Sequence, residues 1–218
     1  MLALAIDTST NLCAVCIYDA SSKTILAEQS LDIGRGHAEI LMEMIEECMT
    51  KADVQFNLLE RIIATIGPGS FTGVRVGLAA ARGLGLALET PVIGVSTLDA
   101  CEAIAKQSCN QAKICSVLDA RRGEAYFQIE GQKPFISAYE NFDSSALPQN
   151  CKLSGSGAGE LNAALNQNFD IIHTDATAPI ALIAEIGTCQ IVQEHAPEPL
   201  YLRGADAKPQ AGFAIERA

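Results

Sequence analysis

The sequence is poor in cations and in aromatic residues. Its 218 residues contain no tryptophan, and 15 Lys and Arg stand against 26 Asp and Glu, which gives a formal net charge of −11. A protein that holds nucleic acid by itself gains affinity by neutralising phosphates with Lys and Arg. The shortage of cations therefore disfavours an autonomous nucleic-acid binder. It favours a small ligand, or a partner that supplies the positive charge.

Long hydrophobic runs and leader-like segments are also missing. No stretch approaches the ~20 apolar residues of a membrane span. The first residues carry no basic segment and reach an acid at Asp7, unlike a signal peptide. Eight cysteines are scattered, mostly inside apolar runs, as expected for reduced and buried thiols. We therefore expect a cytoplasmic protein that makes no membrane contact.

One cysteine pair, Cys13 and Cys16, has the spacing of a redox or zinc motif. Positions three apart in a strand point to opposite faces of a sheet, so the two sulfurs cannot share a metal or form a bond with each other. Too few other Cys or His residues cluster to complete a zinc site. We predict two core thiols and no metal site.

The hydrophobic content, in contrast, is high enough to build a sizeable core. Hydrophobic residues make up 49% of the chain and charged residues 19%. Strand-like runs and helical stripes follow one another as strands, helix, strand, helix, strand, and then a shorter second set. This order predicts an α/β protein with two lobes. We place a first lobe with two prominent helices at 1–102 and a smaller second lobe with a loosely held C-terminal tail at 103–218.

The loop from Gly67 to Gly73 is the most informative local feature. Glycines let a backbone approach a ligand closely, and the N-terminus of the helix that follows attracts anions. A phosphate site is therefore one interpretation. The loop lacks the Lys of a P-loop, however, and Thr72 stands where the dinucleotide fingerprint has glycine. A glycine-rich turn with Ser70 or Thr72 as the helix cap is the favoured interpretation.

The helix predicted at 74–88 has small residues at every fourth position, from Gly73 through Gly77 and Ala81 to Gly85. Glycine costs about 1 kcal/mol in a helix interior, so this smooth face predicts the close approach of another backbone. The helix is apolar nearly all round and must be covered on two sides. The sheet covers one side. The helix predicted at 38–50, or a partner protein, covers the other.

Acids occupy matching places in the two lobes, each at the end of a strand. In the first lobe the acid is followed by hydroxyl residues that could meet a metal–phosphate group. The pair suggests a nucleotide cleft between the lobes, and hydroxyl-capped turns are the alternative. These features also leave open a free-standing ATP-dependent enzyme of the sugar-kinase type. The candidate residues of this cleft, which we regard as vestigial, are Asp7, Thr8, Ser9, Asp119, Gly155 and Gly157.

Several segments together resemble the TsaB (YeaZ) family, in the family's order and over most of the chain. They are Ala5–Thr10, Gly67–Gly77, Gly94–Leu98, Leu118–Glu124 and Pro199–Arg203. The block Gly-Pro-Gly-Ser-Phe-Thr-Gly-Val-Arg is the most specific. The resemblance implies an actin/Hsp70/sugar-kinase-like fold built from two ribonuclease H-like lobes. It also implies a role in making threonylcarbamoyladenosine beside the tRNA anticodon, with the transferase TsaD and the ATPase TsaE as partners.

The chain departs from the related TsaD where TsaD binds its metal. Thr97 and Cys101 stand in place of the two metal-binding histidines. Without imidazoles we expect no metal and no transferase chemistry. The resemblance therefore implies a non-catalytic subunit that activates TsaD and reaches tRNA only through the complex. It implies no cofactor, except for a nucleotide that could lodge at the partner contact.

In this family two helices of the first lobe pack against the matching helices of TsaD. The resemblance assigns the partner interface here to the apolar stripe of the first helix and the smooth face of the second. Faces of this kind can also pair with themselves as a homodimer when the partner is missing. The candidate interface residues are Leu41, Met44, Ile45, Cys48, Val74, Gly77, Leu78, Ala81 and Gly85.

Overall fold

The computed structural model describes residues 1–203 as two five-stranded sheets with helices packed against them. Sheet A has the order β3-β2-β1-β4-β5 and sheet B the order β10-β9-β6-β7-β8. The strands of sheet A are β1 (Leu2–Asp7), β2 (Leu12–Asp19), β3 (Thr24–Asp32), β4 (Arg61–Gly67) and β5 (Val92–Ser96). Those of sheet B are β6 (Ile114–Arg121), β7 (Glu124–Ile129), β8 (Phe135–Ala138), β9 (Lys152–Ser154) and β10 (Ile171–His173).

The two sheets repeat one topology. In each, the first three strands form an antiparallel meander, and the fourth and fifth run parallel to the first. Within residues 1–203 the α-helices are α1 (His37–Ala52), α2 (Phe71–Leu88), α3 (Thr97–Ser108), α4 (Ala158–Leu165) and α5 (Ile180–Cys189). Short 3-10 turns occupy Phe56–Leu58, Tyr139–Asn141 and Ser144–Ala146. The prediction of a two-lobed α/β protein is confirmed.

Helices cover both faces of sheet A. Because side chains alternate along β2, this strand contributes residues to the cores on both faces. Helices α1 and α2 pack on one face together with Cys13, while α3 and α5 pack on the other together with Cys16. The two thiols therefore point in opposite directions, as predicted. Burial raises the pKa of Cys13 to about 11 and that of Cys16 to about 12, so both remain protonated at neutral pH.

Helix α5 differs from its prediction in extent, cap and packing. A helix at 179–193 capped by Thr177 or Asp175 follows from the sequence pattern, but α5 ends at Cys189 and its N-cap is Pro179. It lies within the predicted second lobe, 103–218, yet it packs against sheet A, because its buried side chains face that sheet. The loosely held tail predicted for the last dozen residues lies outside the described residues.

Helix α2 is by length and composition the one helix in residues 1–203 that could cross a membrane. Its inward residues pack on sheet A in the core of the first lobe. Its outward residues include Arg75 and Arg82. Core helices pass the same length and composition test, so we interpret α2 as a surface helix of the first lobe.

Candidate functional site

Asp7, the first candidate residue of the predicted cleft, is buried, with only 1% of its surface exposed. Asp7 Oδ1 accepts hydrogen bonds from Ser9 N at 2.8 Å and from Thr65 Oγ1 at 2.7 Å. Asp7 Oδ2 accepts a hydrogen bond from Thr177 Oγ1 at 2.7 Å. Both carboxylate oxygens therefore accept hydrogen bonds from the protein itself, and the group is bound within the fold. Thr177 serves this carboxylate instead of capping α5.

The glycine loop packs onto the turn between β1 and β2 and does not form an open cradle. Ser70 N donates to Ser9 O at 2.7 Å, and Thr8 Oγ1 donates to Gly73 O at 2.7 Å. Side chains at Gly69 and Gly73 would collide with the backbone oxygens of Ser9 and Thr8. Ser70 Oγ accepts from Gly73 N at 3.2 Å and caps α2. The interpretation as a glycine-rich turn and helix cap is confirmed.

The second-lobe candidates pack around the end of β6. Asp119 is exposed, and its Oδ1 accepts a hydrogen bond from Arg121 N at 2.8 Å. A Cβ at Gly155, whose φ is +116°, would lie 2.5 Å from Val117 O, so glycine is required there by close packing. A Cβ at Gly157 would lie 2.6 Å from Tyr139 Oη. Within residues 1–203 no hydrogen bond or ion pair joins Asp119 to Asp7.

Tyr139 lies beneath these glycines and is itself buried. Burial raises the pKa of its phenol, and the nearby carboxylates of Asp119 and Glu160 raise it further. The phenol is therefore neutral at physiological pH, and it serves as a packing surface for Gly157. Close packing against Val117 at Gly155 and against Tyr139 at Gly157 therefore accounts for both glycines.

Thr97 and Cys101, which the resemblance sets in place of two metal-binding histidines, are fully buried on α3. Burial, together with the charges of Asp7 and Asp175, raises the pKa of Cys101 to about 12. A protonated thiol is a poor metal ligand. In the part of the chain that the structure describes, no group of three or more His, Cys, Asp or Glu side chains is placed to hold a metal.

Helix α3 instead fastens the two lobes to each other. Ser116 Oγ on β6 donates to Leu98 O at 2.9 Å, and Ser154 Oγ on β9 donates to Cys101 O at 2.6 Å. Leu98 and Cys101 also pack with Leu118 in a small apolar cluster. The start of α3, which holds Thr97 and Cys101, therefore works as an inter-lobe joint.

The candidate interface residues lie in the core of the first lobe, which corrects their assignment to a surface. All are buried in the chain itself, and a buried side chain cannot contact a partner without unpacking the core. They are Leu41, Met44, Ile45, Cys48, Val74, Gly77, Leu78, Ala81 and Gly85. The stripe at every fourth residue has the same spacing whether a helix faces a core or a partner, so the pattern alone could not decide.

The close approach predicted for the smooth face of α2 occurs within the chain itself. A side chain at Gly77 would collide with Thr8 Oγ1, and one at Gly85 with Val92. The second cover required for α2 comes from α1, which contacts it beside the same core. Of the two alternatives left open by the sequence, the helix at 38–50 is the one that covers α2.

The opposite side of α2 is exposed and was missed by the sequence analysis. This outward stripe consists of Phe71, Arg75, Ala79, Gly83 and Leu86. Phe71 is 58% exposed and Leu86 is 84% exposed, and a Cβ at Gly83 would meet nothing within 4 Å. On α1, Met42 is also exposed. The signal was available as a second row of residues spaced by about four positions, small or apolar except for Arg75.

A C-terminal strap, residues Pro197–Arg203, runs from sheet A to sheet B. Leu200 N donates to Ile66 O at the end of β4 at 2.8 Å. Leu202 packs against the small cluster of Leu98, Cys101 and Leu118. Arg203 donates to Ala120 O at 3.1 Å and forms an ion pair with Glu124 on β7. The strap therefore contacts both lobes.

Comparisons with known proteins agree with this fold. A family model described as "TsaD: tRNA N6-adenosine threonylcarbamoyltransferase" matches residues 25–181. The chain is 35% identical over 127 residues to the tRNA threonylcarbamoyladenosine biosynthesis protein TsaB of Escherichia coli (strain K12), which covers 58% of this chain and 54% of that protein. The chain thus spans only about half the length of that curated relative.

Two further comparisons extend over nearly the whole chain. A protein of Mycobacterium tuberculosis (strain ATCC 25618 / H37Rv) is 33% identical over 214 residues, which covers 95% of this chain and 94% of that protein. The solved structure of YeaZ from Pseudomonas aeruginosa has a TM-score of 0.75 at 24% identity, over 92% of this chain and 99% of that one. The last similarity shows that the two proteins share a fold.

Proposed function

Because the chain belongs to the TsaB (YeaZ) family, we propose that it acts in the formation of threonylcarbamoyladenosine in tRNA. In this proposal it is a non-catalytic subunit that binds and activates TsaD, with TsaE as a further partner. The names of the E. coli relative and of the matching family model support the pathway. The observation that carries the non-catalytic role is the state of Asp7, whose two oxygens are occupied by three donors of the protein itself.

The docking face that we propose lies on the outside of the two first-lobe helices. It consists of the outward stripe of α2 together with Met42 of α1. Several large apolar side chains exposed on neighbouring helices, here Phe71, Leu86 and Met42, are typical of a protein–protein contact. Small residues at Ala79 and Gly83 would let a partner helix approach the backbone of α2 closely. When TsaD is absent, we expect the same face to pair with a second copy of the chain.

Because the chain is strongly negative, we expect the other subunits of the complex to make the main contact with tRNA. With a net charge of −11, the protein alone is expected to bind tRNA weakly or not at all at physiological salt. We expect tRNA to bind through the assembled complex, in the cytoplasm. Binding of tRNA by the isolated protein below micromolar concentration would contradict this part of the proposal.

Reconstitution tests the proposal directly. Transfer RNA modification is measured with TsaD and TsaE from the same organism, with and without this protein. We expect modification only when the protein is present, and full activity without it would contradict the proposal. Calorimetry with Mg-ATP on the isolated protein separates the kinase-like alternative, because micromolar binding would favour an ATP-dependent enzyme.

A further inference from the structure

We propose that Phe71, Arg75 and Tyr201 form an anchor site for a carboxylate side chain of the docking protein, and that the C-terminal strap builds this site. The inference rests on the proposed function, because it names the chemistry by which the docking face recognises its partner. It adds a residue, Tyr201, that lies far from α2 in sequence.

The three side chains hold one another in a fixed arrangement at the start of α2. The guanidinium carbon Cζ of Arg75 lies 3.7 Å from the centre of the Phe71 ring. Arg75 Nε donates a hydrogen bond to Tyr201 Oη at 2.7 Å. The rings of Phe71 and Tyr201 are 5.7 Å apart between centres. Because stacking and hydrogen bonding both restrict Arg75, little rotamer entropy remains to be lost on binding.

The guanidinium of Arg75 is fixed through its Nε and through its stacking on the Phe71 ring. Neither terminal amino group of Arg75 makes a hydrogen bond within residues 1–203. The two groups form a planar fork whose geometry matches the two oxygens of a carboxylate. Phe71 is 58% exposed and Tyr201 is 51% exposed, so the fork sits in an accessible aromatic surface. An arginine fixed in this way, with no acidic partner among residues 1–203, is suited to receive one from another molecule.

Charge and composition favour a protein carboxylate over the phosphates of RNA. The neighbouring helix α1 exposes Glu39, Glu43, Glu46 and Glu47, and the whole chain carries a charge of −11. A chain with this net charge repels a polyanion strongly, whereas it repels a single carboxylate on an apolar partner helix far less. Phe, Tyr and Arg are also prominent among the side chains that dominate protein interfaces.

The strap determines where the Tyr201 ring lies. On one side of Tyr201, Leu200 is hydrogen-bonded to the end of β4 at 2.8 Å. On the other side, Leu202 packs in the inter-lobe cluster and Arg203 is paired with Glu124 of the second lobe. The second lobe therefore takes part in shaping the docking face, although the outward stripe of α2 belongs entirely to the first.

The experiment measures the affinity of the full-length protein for TsaD from the same organism, by calorimetry at several salt concentrations. Arg75→Met should weaken binding about tenfold and reduce its dependence on salt, as expected for the loss of a hot-spot charge. Arg75→Lys keeps the charge but loses the fork, and should weaken binding nearly as much. Tyr201→Ala should resemble Arg75→Met, and Tyr201→Phe should show a smaller loss. Lys133→Met, on the exposed turn between β7 and β8, is the control for net charge.

The outcomes separate this inference from the proposed function. If the unchanged protein binds TsaD and Arg75→Met binds as Lys133→Met does, the anchor site is wrong and the proposed function stands. If the unchanged protein does not bind TsaD, the proposed function fails and the anchor site fails with it. A loss of tRNA affinity in Arg75→Met without a loss of TsaD affinity would also overturn the anchor. Thermal unfolding of each variant verifies that the fold is intact.

Discussion

The two sides of helix α2 have small residues at a similar spacing, but one side packs inside the protein and the other is exposed. The inward side, with Gly73, Gly77 and Gly85, touches the protein's own backbone and side chains at distances that admit no Cβ. The outward side, with Ala79 and Gly83, meets open space. Both sides have small residues at a spacing of four. The contrast shows that a smooth helical face marks a close contact without telling whether the contact is internal or with another molecule.

The polar groups on the two sides of α2 also differ, in how far their hydrogen-bonding capacity is used within the chain. On the inward side the Asp7 carboxylate accepts hydrogen bonds from Ser9, Thr65 and Thr177. On the outward side, the terminal amino groups of Arg75 make no hydrogen bond to any other residue of the described range 1–203. A buried polar group must find its partners within the chain, whereas an exposed one can keep its capacity for a ligand. Stability is therefore expected to depend on the inward side and binding on the outward side.

The largest effect on stability is expected from Asp7→Ala. The change leaves Ser9 N, Thr65 Oγ1 and Thr177 Oγ1 without their acceptor in a buried site. The free energy of unfolding should fall by about 3–5 kcal/mol, because hydrogen bonds to charged groups contribute about 1.5–3 kcal/mol each and are not fully additive. Urea unfolding measures the change. A loss below about 1 kcal/mol would show that the carboxylate is not a structural centre.

A matched pair of glycine substitutions compares the two sides of α2 directly. Gly77→Ala should destabilise the protein by about 1–3 kcal/mol, because the added methyl group collides with Thr8 Oγ1. Gly83→Ala adds the same group in open space and should stabilise the helix by up to about 1 kcal/mol. Thermal unfolding of both variants measures the difference. Equal shifts of the thermal unfolding midpoint in the two variants would show that the inward and outward sides of α2 do not differ in packing.

The smallest effect concerns the thiols and appears only at high pH. Burial raises the pKa of Cys16 and Cys101 to about 12 from an unfolded value of 9.0, so the folded state holds these protons more tightly. Their contribution to stability is complete below pH 9 and is lost as the pH rises toward 12. Urea unfolding at pH 8, 9 and 10 should show a decline above pH 9 that is reduced in Cys16→Ala.

Alkylation at constant pH compares the reactivity of buried and exposed thiols. Cys189 is exposed, whereas Cys16 and Cys101 are buried. In the folded protein at pH 8, iodoacetamide should label Cys189 within minutes and leave the two buried thiols unlabelled, because a reactive thiol must be both accessible and deprotonated. Labelling of Cys101 at the rate of Cys189 would mean that the joint between the lobes opens readily.

The sequence predicted the two-lobed α/β architecture well, because strand runs and helical stripes have distinct periods. It also predicted the opposite directions of Cys13 and Cys16 from the alternation of a strand. It failed at the interface, since Leu41 and Ala81 have the spacing of either a core or a contact. It could not find the role of Thr177 or of Tyr201, because each acts on a residue more than a hundred positions away.

The most direct measurement of the central claim uses Leu86→Glu in the reconstituted system with TsaD and TsaE. Leu86 is 84% exposed on the outward stripe, so a charge there should leave the fold unchanged. We expect the variant to unfold at the same temperature as the unchanged protein. It should neither co-purify with TsaD nor support tRNA modification. A folded variant that binds TsaD normally and supports full modification would contradict the account.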